Sequence, residues 1–346
     1  MLDNKNVLIH RDPQHALDVA QAQYDQGNFE AELYNAPHEI GDVKNVVILG
    51  MGGSALAPLV VKDWLSSEVK IPLEIVRTYD IPGSINENTL VVASSYSGNT
   101  EETLTALYQA RERGAKIVII AAGGQLIDYA RENNTPYIVL PGGVQPRMAL
   151  IYSLRANIRI LAHYNIVEYK YFDEISQASE WLKEQTSAWG RDVNLKNNYA
   201  KQLALSAVGK TAIFYGGDRT SSLAYKWKIS WNENAKNTAF YNQYPEFNHN
   251  EFMGWTSHPV EKPFAVFDII SNFEHPQILK RFKISDKLLS GRRPKARAIE
   301  LQGDTLLKQI LWGAILADFT SIYLAILNNV DPTPVKLIEK LKQELK

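Results

Sequence analysis

Cysteine is absent from the 346-residue chain, which removes disulfides, thiolate zinc sites and a thiol nucleophile and fits a reducing compartment. Excess charge of either sign is missing too: 37 Lys and Arg stand against 38 Asp and Glu, a formal net charge of -1. No basic field exists to gather nucleic acid, and none is expected as a partner. The N-terminus MLDNKNVLIHRD is broken by charges and lacks the apolar stretch and small-residue cleavage site of a secretory signal, so a cytoplasmic location is expected. One segment, 310–327, resembles a membrane span, but it carries Gly313, Asp318, Thr320 and Ser321 and no flanking basic asymmetry. A buried core or subunit-interface helix is expected there, and no membrane partner. The histidines, at positions 10, 15, 38, 163, 249, 258 and 275, show no HExxH pair or other ligand spacing. Neither a metal nor another cofactor is expected.

What is present is ordinary globular composition, 45% hydrophobic and 22% charged residues. The length suggests two domains of roughly 150 residues each. Short apolar runs at 46–49, 73–76, 90–93, 117–121 and 137–140 predict strands buried on both faces. Helix-like stretches at 55–66, 101–113 and 126–133 lie between them, the alternation of a doubly wound parallel sheet. From 148 to 204 the pattern is helical. Strands then recur at 211–215, 264–270 and 298–301, with helices at 222–234, 277–289 and 306–327, the last ended by Asp331, Pro332, Thr333 and Pro334. The fold class is therefore α/β, two doubly wound lobes, each a parallel sheet flanked by helices. The expected boundaries are 1–155 for the first lobe, 156–204 for a helical connection and 205–346 for the second lobe with its C-terminal helices.

Two loops carry chemistry. In VVILGMGGSALAP a strand runs into Gly50, Gly52, Gly53 and Ser54 and then a helix. Glycines there permit close backbone approach, and the helix start attracts an anion. The dinucleotide fingerprint is also met at Gly50, Gly52 and Ala55. It lacks the acidic residue about twenty positions on, since Glu74 falls within the next strand and Asp80 comes later. A tight turn binding nothing is the plain alternative for this loop. In VVASSYSGNTEETL, Ser94, Ser95, Ser97, Asn99 and Thr100 cluster between a strand and a helix. A simple N-cap accounts for one or two of these side chains, and the full set suits a phosphate monoester.

The pairing of GMGGSA with SSYSGNTEET resembles the sugar isomerase (SIS) domain. That resemblance implies a phosphate held by Ser95, Ser97 and Thr100, with Ser54, Gly52 and Gly53 from the first loop. Three longer stretches, QPRMALIYSL, WNENAKNTAFYNQYPEFNHNEFMGW and DFTSIYLAILNNVDPTPVKLIEKLKQELK, are similar to those of the bifunctional phosphoglucose/phosphomannose isomerases. The resemblance implies two SIS-type domains and catalytic roles for Arg147, Glu233 and His249. Lys342 is the best match to a C-terminal catalytic lysine, with Lys336 and Lys340 as nearby alternatives. It also implies a homodimer in which His249 reaches into the neighbouring subunit's site.

The chemistry asks for these residue types. Opening a sugar ring needs a group that accepts and donates a proton near neutrality, which His249 can do. Removing a proton beside a carbonyl needs a base, for which Glu233 is the candidate, with Asn232, Asn234 and Lys236 near enough in sequence to orient it. A cation beside the resulting enediolate lowers the barrier, the role open to Arg147. Lys342 suits ring opening or a sugar hydroxyl. The expected activity is metal-independent interconversion of glucose 6-phosphate and fructose 6-phosphate, and also of mannose 6-phosphate, through a cis-enediolate. The alternative is a non-catalytic phosphosugar-binding regulator. Such regulators carry an appended interaction domain, and none is visible in the sequence.

Overall fold

The computed structural model describes residues 1–39, 41–257 and 263–345. Helices α1 (Lys5–Arg11) and α2 (Ala16–Gln21) come first. They are followed by β1 (Asn45–Leu49), α3 (Gly53–Trp64), β2 (Leu73–Val76), β3 (Thr89–Ser94), α4 (Glu101–Glu112), β4 (Lys116–Ala121), α5 (Gly124–Glu132) and β5 (Tyr137–Val139). Helices α6 (Leu150–His163), α7 (Lys170–Ser187) and α8 (Tyr199–Ser206) lead to β6 (Thr211–Gly216), α9 (Ser221–Asn234) and β7 (Ala239–Gln243). The chain finishes with α10 (Glu251–Gly254), β8 (Phe264–Ile270), α11 (Pro276–Leu288), β9 (Arg297–Glu300), α12 (Leu306–Leu327) and α13 (Lys336–Glu344).

These elements form two compact units. The first is Gln23–Trp181, and the second is Met1–Ala22 together with Leu182–Lys346. The expected boundaries at 155 and 204 therefore differ from the observed division. The reason is packing: α1 and α2 bury Leu8, Leu17 and Ala20 and lie against α12, where Arg11 Nη1 donates to the Ile326 carbonyl at 2.7 Å.

The first unit holds a five-stranded, wholly parallel sheet in the order β2-β1-β3-β4-β5. Val91, Ala93, Ile119 and Ala121 present one face to Leu104 and Leu107 of α4 and Leu126 of α5, while α3 packs with α6. Strand order runs one way from β1 to β2 and the other way from β3 through β5. The crevice beyond the carboxyl ends of β1 and β3 is therefore the switch point at which such sheets bind ligands. The segment expected as a doubly buried strand at 73–76 is instead the edge strand β2, with Glu74 exposed, because only one neighbour covers it.

The second unit repeats the plan with four parallel strands in the order β7-β6-β8-β9. Alternation along β6 divides its layers. Phe214, with Phe267 of β8, packs against Trp227 and Trp231 of α9, whereas Tyr215 faces Tyr244, Phe247 and Phe282 on the α11 side. Strand β7 offers only the short apolar run Ala239–Tyr241, and of its residues only Ala239 is buried.

Helix α12, long and apolar enough to suggest a membrane span, is almost wholly buried inside the second unit and is its core helix. Its one acidic residue, Asp318, is fully buried and meets Lys226 Nζ at 2.6 Å and Ser230 Oγ at 2.8 Å, both on α9. Removing one partner of such a pair strands the other charge, at a cost of about 3–5 kcal/mol. Asp318→Ala is expected to lower the unfolding free energy by about that amount in urea titrations. Replacing Lys226 and Asp318 together with Met and Leu should recover most of the loss.

Candidate functional site

The first unit brings its two glycine- and hydroxyl-bearing loops together. Strand β1 ends at Leu49 and the chain turns through Gly50–Gly52 into α3; β3 ends at Ser94 and turns through Ser95–Thr100 into α4. Neither helix start is capped by a side chain. Thr100 occupies the N-cap position of α4, yet its hydroxyl is bonded at 2.7 Å to that of Ser95, which also lies 3.5 Å from the Ser97 hydroxyl. The hydroxyls thus form a connected cluster, and neither helix start is closed by its own N-cap side chain, although the Ser54 and Ala55 amides of α3 already donate to the Met51 and Gly52 carbonyls.

The loops are locked to each other. Ser54 Oγ accepts from the Tyr96 amide at 3.0 Å, so the first loop holds the second. Gly98, at φ +68°, lies so close to the Gly123 carbonyl that an added Cβ would sit 1.7 Å from its oxygen. Gly52, at φ +50°, faces open space, with nothing within 4 Å of where a Cβ would be. Tyr96, Gly98 and Gly124 support this site but were not singled out from the sequence. Their signal was present in the run SSYSGNTEET and in the paired Gly123-Gly124. Burial raises the Tyr96 phenol above its usual range, offset by the Val144 amide, so it remains a donor, to the Pro141 carbonyl at 2.8 Å.

Arg147 belongs to the same neighbourhood. It sits in the short turn Pro146–Met148 after β5, is 1% exposed, and its Nη1 donates to Gln145 Oε1 at 3.3 Å. The backbone of this turn touches the first loop: a Cβ on Gly53 would meet the Pro146 carbonyl oxygen at 2.9 Å and the Arg147 nitrogen at 3.2 Å. Ser54, Ser95, Ser97, Thr100, Gly52, Gly53 and Arg147 are therefore all carried on loops, turns or the helix start of the first unit.

The second unit carries Glu233, His249 and the lysines. Glu233 is half-buried near the C-terminus of α9 and lines a cavity of about 670 Å³ with Asn232, Lys236, Asp331 and Lys336. The Asn232 side chain accepts from the Ala239 amide at 3.0 Å, Asn234 Nδ2 donates to Ser321 Oγ at 2.9 Å, and Lys236 Nζ reaches the Pro332 carbonyl at 3.1 Å. These contacts tie the end of α9 to β7, α12 and the segment after α12. His249 is exposed and ends the turn Glu246–His249. Its neighbours place it on the other side of the sheet, for Phe247 packs on Tyr215 and Asn248 Nδ2 donates to Ser285 Oγ of α11 at 2.9 Å. The sheet therefore lies between Glu233 and His249, and one chain does not bring them together.

Of the lysines, Lys336 lines the Glu233 cavity at the first residue of α13. Lys340 and Lys342 are exposed farther along α13, and neither lines that cavity. Among the described residues no group of three or more His, Asp or Glu side chains is placed to hold a metal ion.

Known proteins agree with this architecture. Residues 196–345 match the bacterial phospho-glucose isomerase C-terminal SIS domain, and residues 39–139 match the SIS domain. A bifunctional phosphoglucose/phosphomannose isomerase of Caldicellulosiruptor bescii is 35% identical over 308 residues, covering 88% of this chain and 90% of that protein. A protein of the same description from Aquifex aeolicus is 31% identical over 329 residues, 95% of this chain and 97% of its own length. Among solved structures, a glucose-6-phosphate isomerase like protein from Thermus thermophilus aligns with a TM-score of 0.65 at 17% identity, over 99% of this chain and 98% of that one, and so shares the fold.

Because Gly98 combines a left-handed backbone with a blocked Cβ position, Gly98→Ala is expected to destabilise the fold by at least about 1 kcal/mol. A lowered thermal midpoint checks this. An unchanged midpoint would show that the loop has room to move.

Proposed function

As a member of the bifunctional phosphoglucose/phosphomannose isomerase family, the chain is a sugar-phosphate isomerase, and we propose that it interconverts glucose 6-phosphate, mannose 6-phosphate and fructose 6-phosphate by moving one proton between carbon 2 and carbon 1. The observation that carries this reading is the hydroxyl-lined cradle at the β1/β3 switch point, with two helix starts uncapped by side chains. The donors there are neutral apart from the partial charge of the helix ends, as suits a phosphate at the far end of the sugar from the reacting carbons.

In the proposed reaction His249 transfers the proton that opens the ring. A C-terminal lysine, Lys342 by resemblance although Lys336 is the one that lines the Glu233 cavity, assists ring opening or holds a sugar hydroxyl. Glu233 removes the proton on carbon 2 of the aldose phosphate and returns it to carbon 1 of the cis-enediolate. The electron pair of the broken bond forms the carbon 1–carbon 2 double bond as the carbonyl pair moves onto oxygen 1, where the Arg147 cation favours the developing charge. The proton of the carbon 2 hydroxyl passes to oxygen 1 as carbon 1 is reprotonated and carbon 2 becomes the carbonyl. Rotation about the next carbon-carbon bond of the intermediate lets one base serve both epimers at carbon 2. We propose further that the working form is a cytoplasmic homodimer in which His249 serves the partner's site. The sheet between Glu233 and His249 within one chain supports this arrangement.

A coupled assay with fructose 6-phosphate and mannose 6-phosphate in chelator is expected to show turnover of both. Well-folded protein that turns over neither would favour a phosphosugar sensor. Glu233→Gln should lower kcat by at least about a hundredfold, the scale of general-base catalysis, with little change in phosphosugar binding. Mixing inactive Glu233→Gln with inactive His249→Ala should restore activity through hybrid dimers with one intact site. No recovery after subunit exchange would rule out the shared site.

A further inference from the structure

The two sheets share a plan, and their loops can be compared position by position. Strands β6 and β8 hold in the second sheet the central places that β1 and β3 hold in the first. After β1 the chain reads Gly50-Met51-Gly52-Gly53-Ser54, and at the end of β6 it reads Gly216-Gly217-Asp218-Arg219-Thr220. In both, the leading glycine lies against the residue four positions on: a Cβ would meet the Ser54 carbonyl oxygen at 3.3 Å in one and that of Thr220 at 2.5 Å in the other. In both, the hydroxyl of that residue bonds to the loop after the neighbouring strand. Ser54 accepts from the Tyr96 amide, and Thr220 Oγ1 donates to Glu274 Oε1 at 3.0 Å.

The contents of the two cradles differ. In the first, Gly52 faces open space, and the second loop has Asp218 at that position; one residue earlier, where the first loop has Met51, a Cβ on Gly217 would strike the Glu274 carboxylate, at 2.4 Å from its carbon and 2.5 and 2.6 Å from its oxygens. Glu274 is 4% exposed, and its Oε1 also accepts from the Arg219 amide at 3.0 Å. The start of α11 is closed too, by His275 Nδ1 accepting from the Gln277 amide at 3.1 Å, where the start of α4 has no side-chain cap.

We infer that Glu274 is a built-in anion: its carboxylate fills, in the second unit, the cradle that in the first unit receives a phosphate, so the chain binds one sugar phosphate and holds a second, self-occupied anion site. A carboxylate matches the charge sign and donor geometry of the missing ligand and costs no association entropy. The comparison rests on the reading of the first cradle as a phosphate site, so the test separates the two.

Inorganic phosphate binding is measured by equilibrium dialysis on wild type, on Glu274→Ala, on Ser95→Ala/Thr100→Ala, and on all three changes together. Wild type is expected to bind one phosphate per chain. Glu274→Ala should add one in either background, and phosphate should raise its thermal midpoint more than it raises that of wild type. Folded Glu274→Ala that gains no phosphate overturns the inference, as do two phosphates bound to wild type. Loss of binding in Ser95→Ala/Thr100→Ala tests the first cradle independently. Should Glu274→Ala fail to fold, Glu274→Ser keeps a short polar group for the Arg219 amide and the Thr220 hydroxyl while still emptying the cradle. Its midpoint is expected to fall and to recover with phosphate beyond the wild-type shift, and an equal shift overturns the proposal.

Discussion

Two helices begin against the carboxyl ends of neighbouring parallel strands with no side chain spent on capping them, and the remaining geometry of the first unit follows from that constraint. Open donors at a helix start are costly unless water or an anion meets them. Here the hydroxyls that would ordinarily cap are bonded to one another, which holds the loop in shape before any ligand arrives. Preorganisation of this kind reduces the ordering cost of binding. The glycines serve the same end, since the contacts of Gly98 and Gly53 would be blocked by any side chain.

Much of this was legible in the sequence because buried parallel strands advertise themselves. The runs at 46–49, 90–93 and 117–121 lie inside β1, β3 and β4, and 306–327 coincides with α12. The failures have physical causes. Edge strands have one neighbour, so β7 needed only a short apolar run and β2 tolerates the exposed Glu74. The N-terminal helices were read with the nearest sheet in sequence, although burial of Leu8 and Leu17 ties them to α12, some three hundred residues on. Distance along the chain carries no information about such docking.

The site was legible in a different way. Its two loops could be argued from local chemistry, because strand, glycines, hydroxyls and helix are contiguous. Glu233, His249 and Arg147 could not, since nothing near each one in sequence distinguishes it from an ordinary polar residue; resemblance supplied them. The structure adds what neither route gave: Arg147 rides on a turn that abuts the first loop, and Glu233 and His249 lie on opposite sides of one sheet.

Helix α12 is apolar on nearly every side, so hydrophobic packing alone scarcely distinguishes one rotation of it about its axis from another. The Asp318 carboxylate does. Turning the helix by a single residue would swing that charge about 100° away from Lys226 and Ser230 into hydrocarbon, at a cost of several kcal/mol. That buried charge acts as an index mark: together with the Asn234–Ser321 and Ser271–Gln309 bonds it selects a single setting for a cylinder whose apolar sides would otherwise fit many ways, and α9 beside it inherits that uniqueness.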